Sequence, residues 1–283
     1  MSSAPVQRLP GTLIRALKWS RHFGYVALGP LDYLARVVNG KGDFPPLHLR
    51  RYVGPLRSFE SSGAEFMAYL RLLAQLRPDE KVLDIGCGCG LMALQLKDFI
   101  GARGGYVGVD PHGPSINWCR RNIAARHTNF DFARLDVKNR VFNPKGECAA
   151  EDFSFPFEDG AFDVVLLKSV FTHMRPAEVG NYLKEVSRLL ADGGRCLATF
   201  FLLNERQEEF GARGLNRLRF DHGEGDWRYV YQHSPESAVA YREDYVTRLL
   251  DESGLAAATV MDGSWSGADD GLSFQDILLL RKR

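Results

Sequence analysis

Between residues 61 and 201, short apolar runs alternate with stretches whose apolar residues recur every three or four positions. The runs at 81–85, 106–110, 130–135, 163–168 and 195–201 predict strands, and the stretches 61–76, 91–100, 115–125 and 177–190 predict helices. The clearest is 177–190, where Val179, Leu183, Val186 and Leu190 form one stripe. Pro176 precedes that stripe and Gly193-Gly194 follow it, the expected order for a helix start and stop. Apolar strands alternating with amphipathic helices imply a parallel sheet covered on both faces.

Elsewhere the rhythm changes. Residues 12–39 carry Leu13, Ile14, Leu17, Leu28, Leu31, Leu34 and Val37 at helical spacing around Gly29-Pro30. Residues 40–57 are punctuated by Gly and Pro. Residues 203–240 are polar, dotted with aromatics and aperiodic, a length of irregular chain that in a compact domain is usually functional or disordered. A helix is predicted at 241–253, stopped by Gly254, and final strands at 257–261 and 275–280. The pattern thus divides the chain into a helical extension, 1–60, and a main α/β domain, 61–283, with 203–240 as a lid-like insertion on the substrate side.

Composition adds little to this picture. At 283 residues and 25% charged, the chain has room for one large α/β domain with additions. The net charge of +1 gives no global field for nucleic acid. Residues 1–60 hold nine Lys/Arg against three Asp/Glu, a surplus of six. A basic segment of this kind fits a solvated helical face, an anionic membrane surface or an anionic acceptor. Five scattered cysteines do not make a disulfide framework. Residues 1–30 lack the apolar core of a signal peptide, and no apolar run is long enough to span a bilayer. A reduced, cytoplasmic protein without integral membrane contact is the expectation; the oligomeric state is not legible.

The first strand ends in VLDIGCGCG, residues 82–90. Cys87-x-Cys89 has no second pair, and a zinc site needs about four ligands, so no metal is expected. Glycines at 86, 88 and 90 let the chain turn sharply and approach a ligand closely. The helix that follows points its free N–H groups at that ligand. Gly88, Gly90 and Ala93 fit the nicotinamide pattern G-x-G-x-x-G/A, but Asp84 would repel a pyrophosphate. A carboxylate there suits a cation, and S-adenosylmethionine carries both a sulfonium and an ammonium. The next strand ends at Asp110, which can accept hydrogen bonds from both ribose hydroxyls.

Taken in order, VLDIGCGCG, YVGVD (106–110), LD (135–136), FDVVLLKSVFTHM (162–174) and LLADGGRCLATF (189–200) resemble class I S-adenosylmethionine-dependent methyltransferases, closest to the small-molecule group that includes quinone-biosynthesis enzymes. The resemblance covers residues 60–201 and the last two strands. It implies a Rossmann-like sheet of seven strands, mostly parallel, with the last strand antiparallel. It implies that Asp84, Gly86, Cys87, Gly88 and Gly90 cradle the methionine part of the cofactor, S-adenosyl-L-methionine. It further implies that Asp110 binds the ribose, that Asp136 and the Val137 backbone meet adenine, and that Lys168 and Ser169 line the methyl-donor site. Pro111, then His112, stand where the family often has an apolar residue against the base.

A sulfonium methyl is already activated, so the protein must align an acceptor, exclude water and, where needed, take a proton. His173, just after the fourth strand, is the candidate base; a cap of the next helix is its structural alternative. His222, Trp227, Tyr229, Tyr231 and His233 in the insertion are candidates for covering the acceptor, or a self-packed surface loop. Tyr25, His48, Arg50 and Arg51 are candidates to complete the pocket. The expectation is methyl transfer to a small molecule, most simply at oxygen. The alternatives are nitrogen or carbon, or a glycan or lipid-linked saccharide. The segment Lys168-Ser169-Val170-Phe171 is not the Asn/Asp-Pro-Pro-aromatic motif of base-methylating enzymes, and no basic stripe tracks a nucleic-acid strand.

Overall fold

The computed structural model describes residues 24–283 and divides the chain into two units, Met1–Glu60 and Ser61–Arg283. The part of the predicted N-terminal helix at 12–23 lies outside the described residues. In the first unit, α1 (Gly29–Val38) starts with proline in its first turn, and α2 (Leu47–Arg50) follows an irregular stretch. Asp32 organises this unit. Its carboxylate accepts from Arg36 Nε at 2.9 Å, from the Leu47 amide at 3.2 Å and from the Arg50 guanidinium. Leu31, Leu34 and Val38 of α1 stay exposed.

The next helix, α3, spans Phe59–Leu72. In the second unit β1 (Lys81–Ile85), β2 (Gly105–Asp110), β3 (Phe130–Arg134), β4 (Phe162–Leu167) and β5 (Leu190–Phe200) alternate with helices. The helices are α4 (Leu91–Leu96), α5 (Gly113–Cys119) and α6 (Pro176–Leu189). After β5 come β6 (Leu202–Leu203), α7 (Glu205–Ala212), β7 (Trp227–Tyr229) and β8 (Val239–Arg242). The chain ends with α8 (Glu243–Glu252), β9 (Leu255–Met261) and β10 (Asp276–Lys282).

The main sheet has seven strands in the order β3-β2-β1-β4-β5-β10-β9. The five strands β3 to β5 run parallel, and β10 is antiparallel to both neighbours. The fold expected from the resemblance is the fold observed. The parallel strands are buried on both faces, which is why they read as continuous apolar runs. Chain order reverses between β1 and β4, so a crevice opens at their carboxyl ends, the usual ligand position in such sheets.

Several boundaries differ from the sequence reading. The helix expected at 91–100 stops at Leu96, and the one expected at 115–125 becomes π-helical over Arg120–Ala124. Strand β5 begins at Leu190, with a register shift against β4 where Ala191 to Gly194 loop out. Tyr241, taken as a helix start, lies in β8. It pairs with Leu202 and Trp227 in a second sheet of order β6-β8-β7. The insertion is therefore structured: a helix and a small sheet that extends the carboxyl end of β5.

Candidate functional site

The glycine loop connects β1 to α4 at the crevice. Gly86, Gly88 and Gly90 have φ of 78°, 54° and 82°, the left-handed region that other residues enter at a cost. A Cβ on Gly86 would lie 2.6 Å from Val170 Cγ2, and one on Gly90 would lie 2.8 Å from Ile123 Cδ1. The loop is therefore both strained for any side chain and closely packed. Gly86 and Cys87 donate to the Val109 carbonyl, at 2.8 and 3.1 Å. Cys87 and Cys89 are buried thiols, and burial pushes the Cys87 thiol well above its usual value. They act as small core residues. Among the described residues no three His, Cys, Asp or Glu side chains converge on one point.

Asp110 at the end of β2 fixes this loop. Its Oδ2 accepts from the Gly88 amide at 2.9 Å and its Oδ1 from the His112 amide at 2.7 Å. Burial raises its pKa, while these two amide bonds oppose the rise. A carboxylate offers about four lone-pair sites, so each oxygen keeps one for a further donor such as a ribose hydroxyl. Pro111 follows, with its carbonyl facing Arg134 Nε at 3.4 Å. His112 Nδ1 pairs with Ser115 Oγ at 2.7 Å as the chain enters α5.

Asp84 is buried at 2% exposure inside β1. Tyr106 donates its hydroxyl to Asp84 Oδ2 at 2.5 Å. Burial drives the pKa of Asp84 up, to about 7; the Asp110 charge adds to this, and Tyr106 and Lys168 oppose it. Lys168 lies over the Phe66 ring, 4.8 Å from its centre, and burial lowers its pKa. Ser169 has φ of 56°, and its amide donates to Thr199 Oγ1 at 2.8 Å. Its hydroxyl donates to Gln275 Oε1 at 2.8 Å, which also accepts from Thr199 Oγ1 at 2.7 Å. A non-glycine residue in this conformation costs energy and persists only where its neighbours hold it, as they do here.

Beyond β3, Asp136 is exposed and accepts weakly from Asn143 Nδ2 at 3.3 Å. Val137 is buried, and its carbonyl accepts from the same Asn143 amide at 3.1 Å. Asp84, Asp110 and the loop glycines thus form one connected group at β1 and β2, and Ser169 joins β5 and β10 through Thr199 and Gln275.

His173 closes the short helical turn after β4. Its Nδ1 lies 2.9 Å from the Glu236 carbonyl. A carbonyl only accepts, so Nδ1 carries the proton and Nε2 holds the free lone pair of the neutral ring. Crowding around the imidazole lowers its pKa, opposed by the Glu236 bond, although the side chain keeps an open edge to solvent. Arg175 donates to Glu236 at 2.6 Å, so the insertion is tied to this turn twice. The five insertion residues named as acceptor candidates form two groups, His222, Trp227 and Tyr229 in one and Tyr231 with His233 in the other. The His222 ring pairs with Tyr229, Trp227 packs against the main core, and Tyr231 and His233 are exposed neighbours. Of the N-terminal candidates, Arg50 already meets Asp32, and Arg51 stacks on Tyr52 and Tyr25.

Sequence reading did not single out Tyr106, Thr199, Gln275 or Glu236 as site residues. Thr199 and Gln275 carried a faint signal: each is a polar residue at the edge of an apolar strand that faces the crevice.

Fold and loop together define a Rossmann-like domain with a glycine-lined crevice at the carboxyl ends of β1 and β2. Residues 82–194 match the family model described as a methyltransferase domain. The sterol 24-C-methyltransferase of Schizosaccharomyces pombe is 30% identical over 137 residues, 48% of this chain and 32% of that protein. The ubiquinone/menaquinone biosynthesis C-methyltransferase of Xylella fastidiosa is 29% identical over 127 residues, 45% of this chain and 44% of that protein. The chain thus spans less than half the length of these curated relatives. A crystal structure of a SAM-dependent methyltransferase from Aquifex aeolicus superposes with a TM-score of 0.51 at 16% identity, covering 84% of this chain and 97% of that one. The 1,6-didemethyltoxoflavin-N1-methyltransferase of Burkholderia thailandensis superposes at 0.50 and 16% identity, over 99% and 92%. Residues 82–194 are thus similar to a methyltransferase domain, carried on the fold seen in S-adenosylmethionine-dependent methyltransferases.

Proposed function

We propose that the chain transfers a methyl group from S-adenosylmethionine to an oxygen of a small-molecule acceptor. The observation that carries this reading is the cradle of three left-handed glycines clamped by Asp110 beside the buried acid Asp84. The residues fit the cofactor. The loop leaves no room for Cβ atoms, Asp110 retains acceptor sites for ribose hydroxyls, and Asp84 places a negative charge near the cationic methionine end. Asp136 and Val137 serve the adenine, with Pro111 against its face. Lys168 and Ser169 line the transfer position. When bound, S-adenosylmethionine supplies a methyl group on a positive sulfur, already activated for transfer. The chain holds the acceptor in line, excludes water and receives the acceptor's proton at His173 Nε2.

Asp84 gives the cofactor affinity a pH dependence. A cation favours the ionised acid, and the acid of the free protein titrates at about 7. Affinity for S-adenosylmethionine is therefore expected to be full above pH 8 and to weaken by up to roughly tenfold per pH unit below about 7. Calorimetric titrations at pH 6, 7 and 8 check this, and a flat profile would remove Asp84 from the cofactor site. For the ligand-free fold the sign is opposite. A carboxyl raised above its unfolded value contributes stability that is full below about pH 4 and is lost as pH rises through about 7.

His173 is tested with a tritiated-methyl transfer assay over phenols, alcohols and activated carbon acids. His173→Ala is expected to lower kcat by about 10²- to 10⁴-fold with cofactor affinity unchanged. The wild-type rate should rise with pH along a limb below 6.5, because crowding lowers the imidazole pKa. A variant within threefold of wild type on the best acceptor would remove the base. Carbon is the second reading, favoured by the names of the two curated relatives, both C-methyltransferases. Label that stays with carbon acids and never reaches a hydroxyl would decide for it.

A further inference from the structure

Beside β6 a half-open cavity of about 310 Å³ is lined by Leu203, Gln207, Asn216 and Phe220 of the insertion together with Trp265. Gln207 sits on α7 at 1% exposure. Neither atom of its side-chain amide has a hydrogen-bond partner among the described residues, and Asn216 Oδ1 is likewise buried and unpaired. Native proteins rarely leave such groups unmet, because a buried amide without a partner forfeits the bonds it made to water. A buried amide that faces a cavity of this size and is left unpaired is suited to a ligand's polar groups.

The wall indicates the ligand's chemistry. Gln207 offers one donor and one acceptor side by side, Asn216 adds an acceptor, and Glu208 and Asp221 add carboxylates at the rim. Arg219 lies at the same rim but is paired with Asp221 at 3.3 Å. The rim therefore carries a net negative charge, which disfavours an anion, and its side chains offer both donors and acceptors. Such a site suits a neutral ligand whose hydroxyls both donate and accept. A cyclic amide brings one donor, whereas a hydroxylated ring brings several groups that donate and accept and lays its C–H face on the half-buried Phe220.

The cavity is coupled to the transfer position. Trp265 Nε1 donates to Asp276 Oδ2 at 2.9 Å, and the preceding residue, Gln275, holds Ser169. We infer that this cavity anchors a hydroxylated, sugar-sized ring of the acceptor, with Gln207 and Asn216 selecting it by hydrogen bonds. The inference rests on the methyltransferase reading for the word acceptor; the cavity and its unpaired amides do not depend on it.

The experiment is ligand-observed NMR on the full chain with S-adenosylhomocysteine present. The probes are methyl α-glucopyranoside, methyl α-mannopyranoside, 2-piperidone and inorganic phosphate. Expected are millimolar binding of a glycoside, little binding of 2-piperidone or phosphate, and at least tenfold weaker glycoside binding in Gln207→Leu and in Asn216→Ala. Gln207→Leu should melt no lower than wild type, since it removes an unpaired buried amide. No glycoside binding, preference for 2-piperidone or phosphate, or glycoside binding untouched by both variants would overturn the proposal. S-adenosylhomocysteine affinity, measured in the same samples, separates the two claims. If it binds and no glycoside does, the ring site falls and the methyltransferase reading stands. If it fails to bind while a Gln207-dependent glycoside does, the cavity is a sugar site but not an acceptor site, and the inference falls with the reading it rests on.

Discussion

Asp110→Ala is expected to weaken S-adenosylmethionine binding by about 100-fold or more, with the fold retained. Asp110 holds the Gly88 and His112 amides at 2.9 and 2.7 Å. Hydrogen bonds to a charged group contribute roughly 1.5–3 kcal/mol each. Without them the loop loses its left-handed arrangement at Gly88, and the ribose loses its acceptor as well. A loss of about 3 kcal/mol already corresponds to more than 100-fold in Kd. Asp110→Asn should fall between the two, because its amide nitrogen must turn toward one of two backbone N–H groups. Calorimetry of both variants, with thermal melting as the folding control, checks this. Affinity within fivefold of wild type in a folded Asp110→Ala would mean that the carboxylate serves the loop alone, or not even that.

The largest expected effect on stability lies at the opposite end of the sheet. Arg195, near the start of β5, is 7% exposed and Glu80, just before β1, is 3% exposed. The guanidinium meets Glu80 with two bonds, of 2.8 and 2.7 Å. It also donates to the Ala74 carbonyl and, at 2.9 Å, to the carbonyl of Gln75, whose φ is 50°. Burial alone would raise the pKa of Glu80. The Arg195 bonds, the Arg77 amide and both guanidinium charges outweigh it and hold the acid below its usual value. Arg195→Met leaves the buried carboxylate with only the Arg77 amide and guanidinium and leaves two carbonyls unmet, and should cost about 3–5 kcal/mol. For a domain of this size that is a drop in Tm on the order of 10 °C. Glu80→Leu combined with Arg195→Met should recover part of it, since the charge is gone but the carbonyls stay unpaired. The pH sign follows from the lowered acid. The pair's contribution is full above about pH 4.5 and is lost as pH falls through the lower folded value. Denaturant melts at pH 7 and pH 4 read both effects; a change below 1 kcal/mol in Arg195→Met would show that the pair is dispensable.

The parts of this structure that were legible in the sequence are those set by local pattern. The stripe Val179, Leu183, Val186 needs only one turn's spacing to be seen, and VLDIGCGCG carries its strand, its turn and its helix start in nine residues. The small sheet of the insertion was not legible, because β6, β7 and β8 are two to four residues long and their pairing joins Leu202 to Tyr241 across the whole insertion. Tyr241 reads as helical from its neighbours, and only the strand on either side of it makes it extended. The Ser169–Gln275 bond spans 106 positions, and no window along the chain contains both. Gln207 reads as one polar residue on a polar helix; its burial comes from the segment around Asn216 and Trp265 folding over it.

The central claim is that the crevice at β1 and β2 binds S-adenosylmethionine. The most direct measurement is calorimetric titration of the full chain with S-adenosylmethionine, S-adenosylhomocysteine and NADH. Micromolar, one-to-one binding of the two adenosyl sulfur compounds without binding of NADH is the expected result. Binding of NADH instead, or of none of the three by a folded sample, would contradict the account of the glycine loop and of the function built on it.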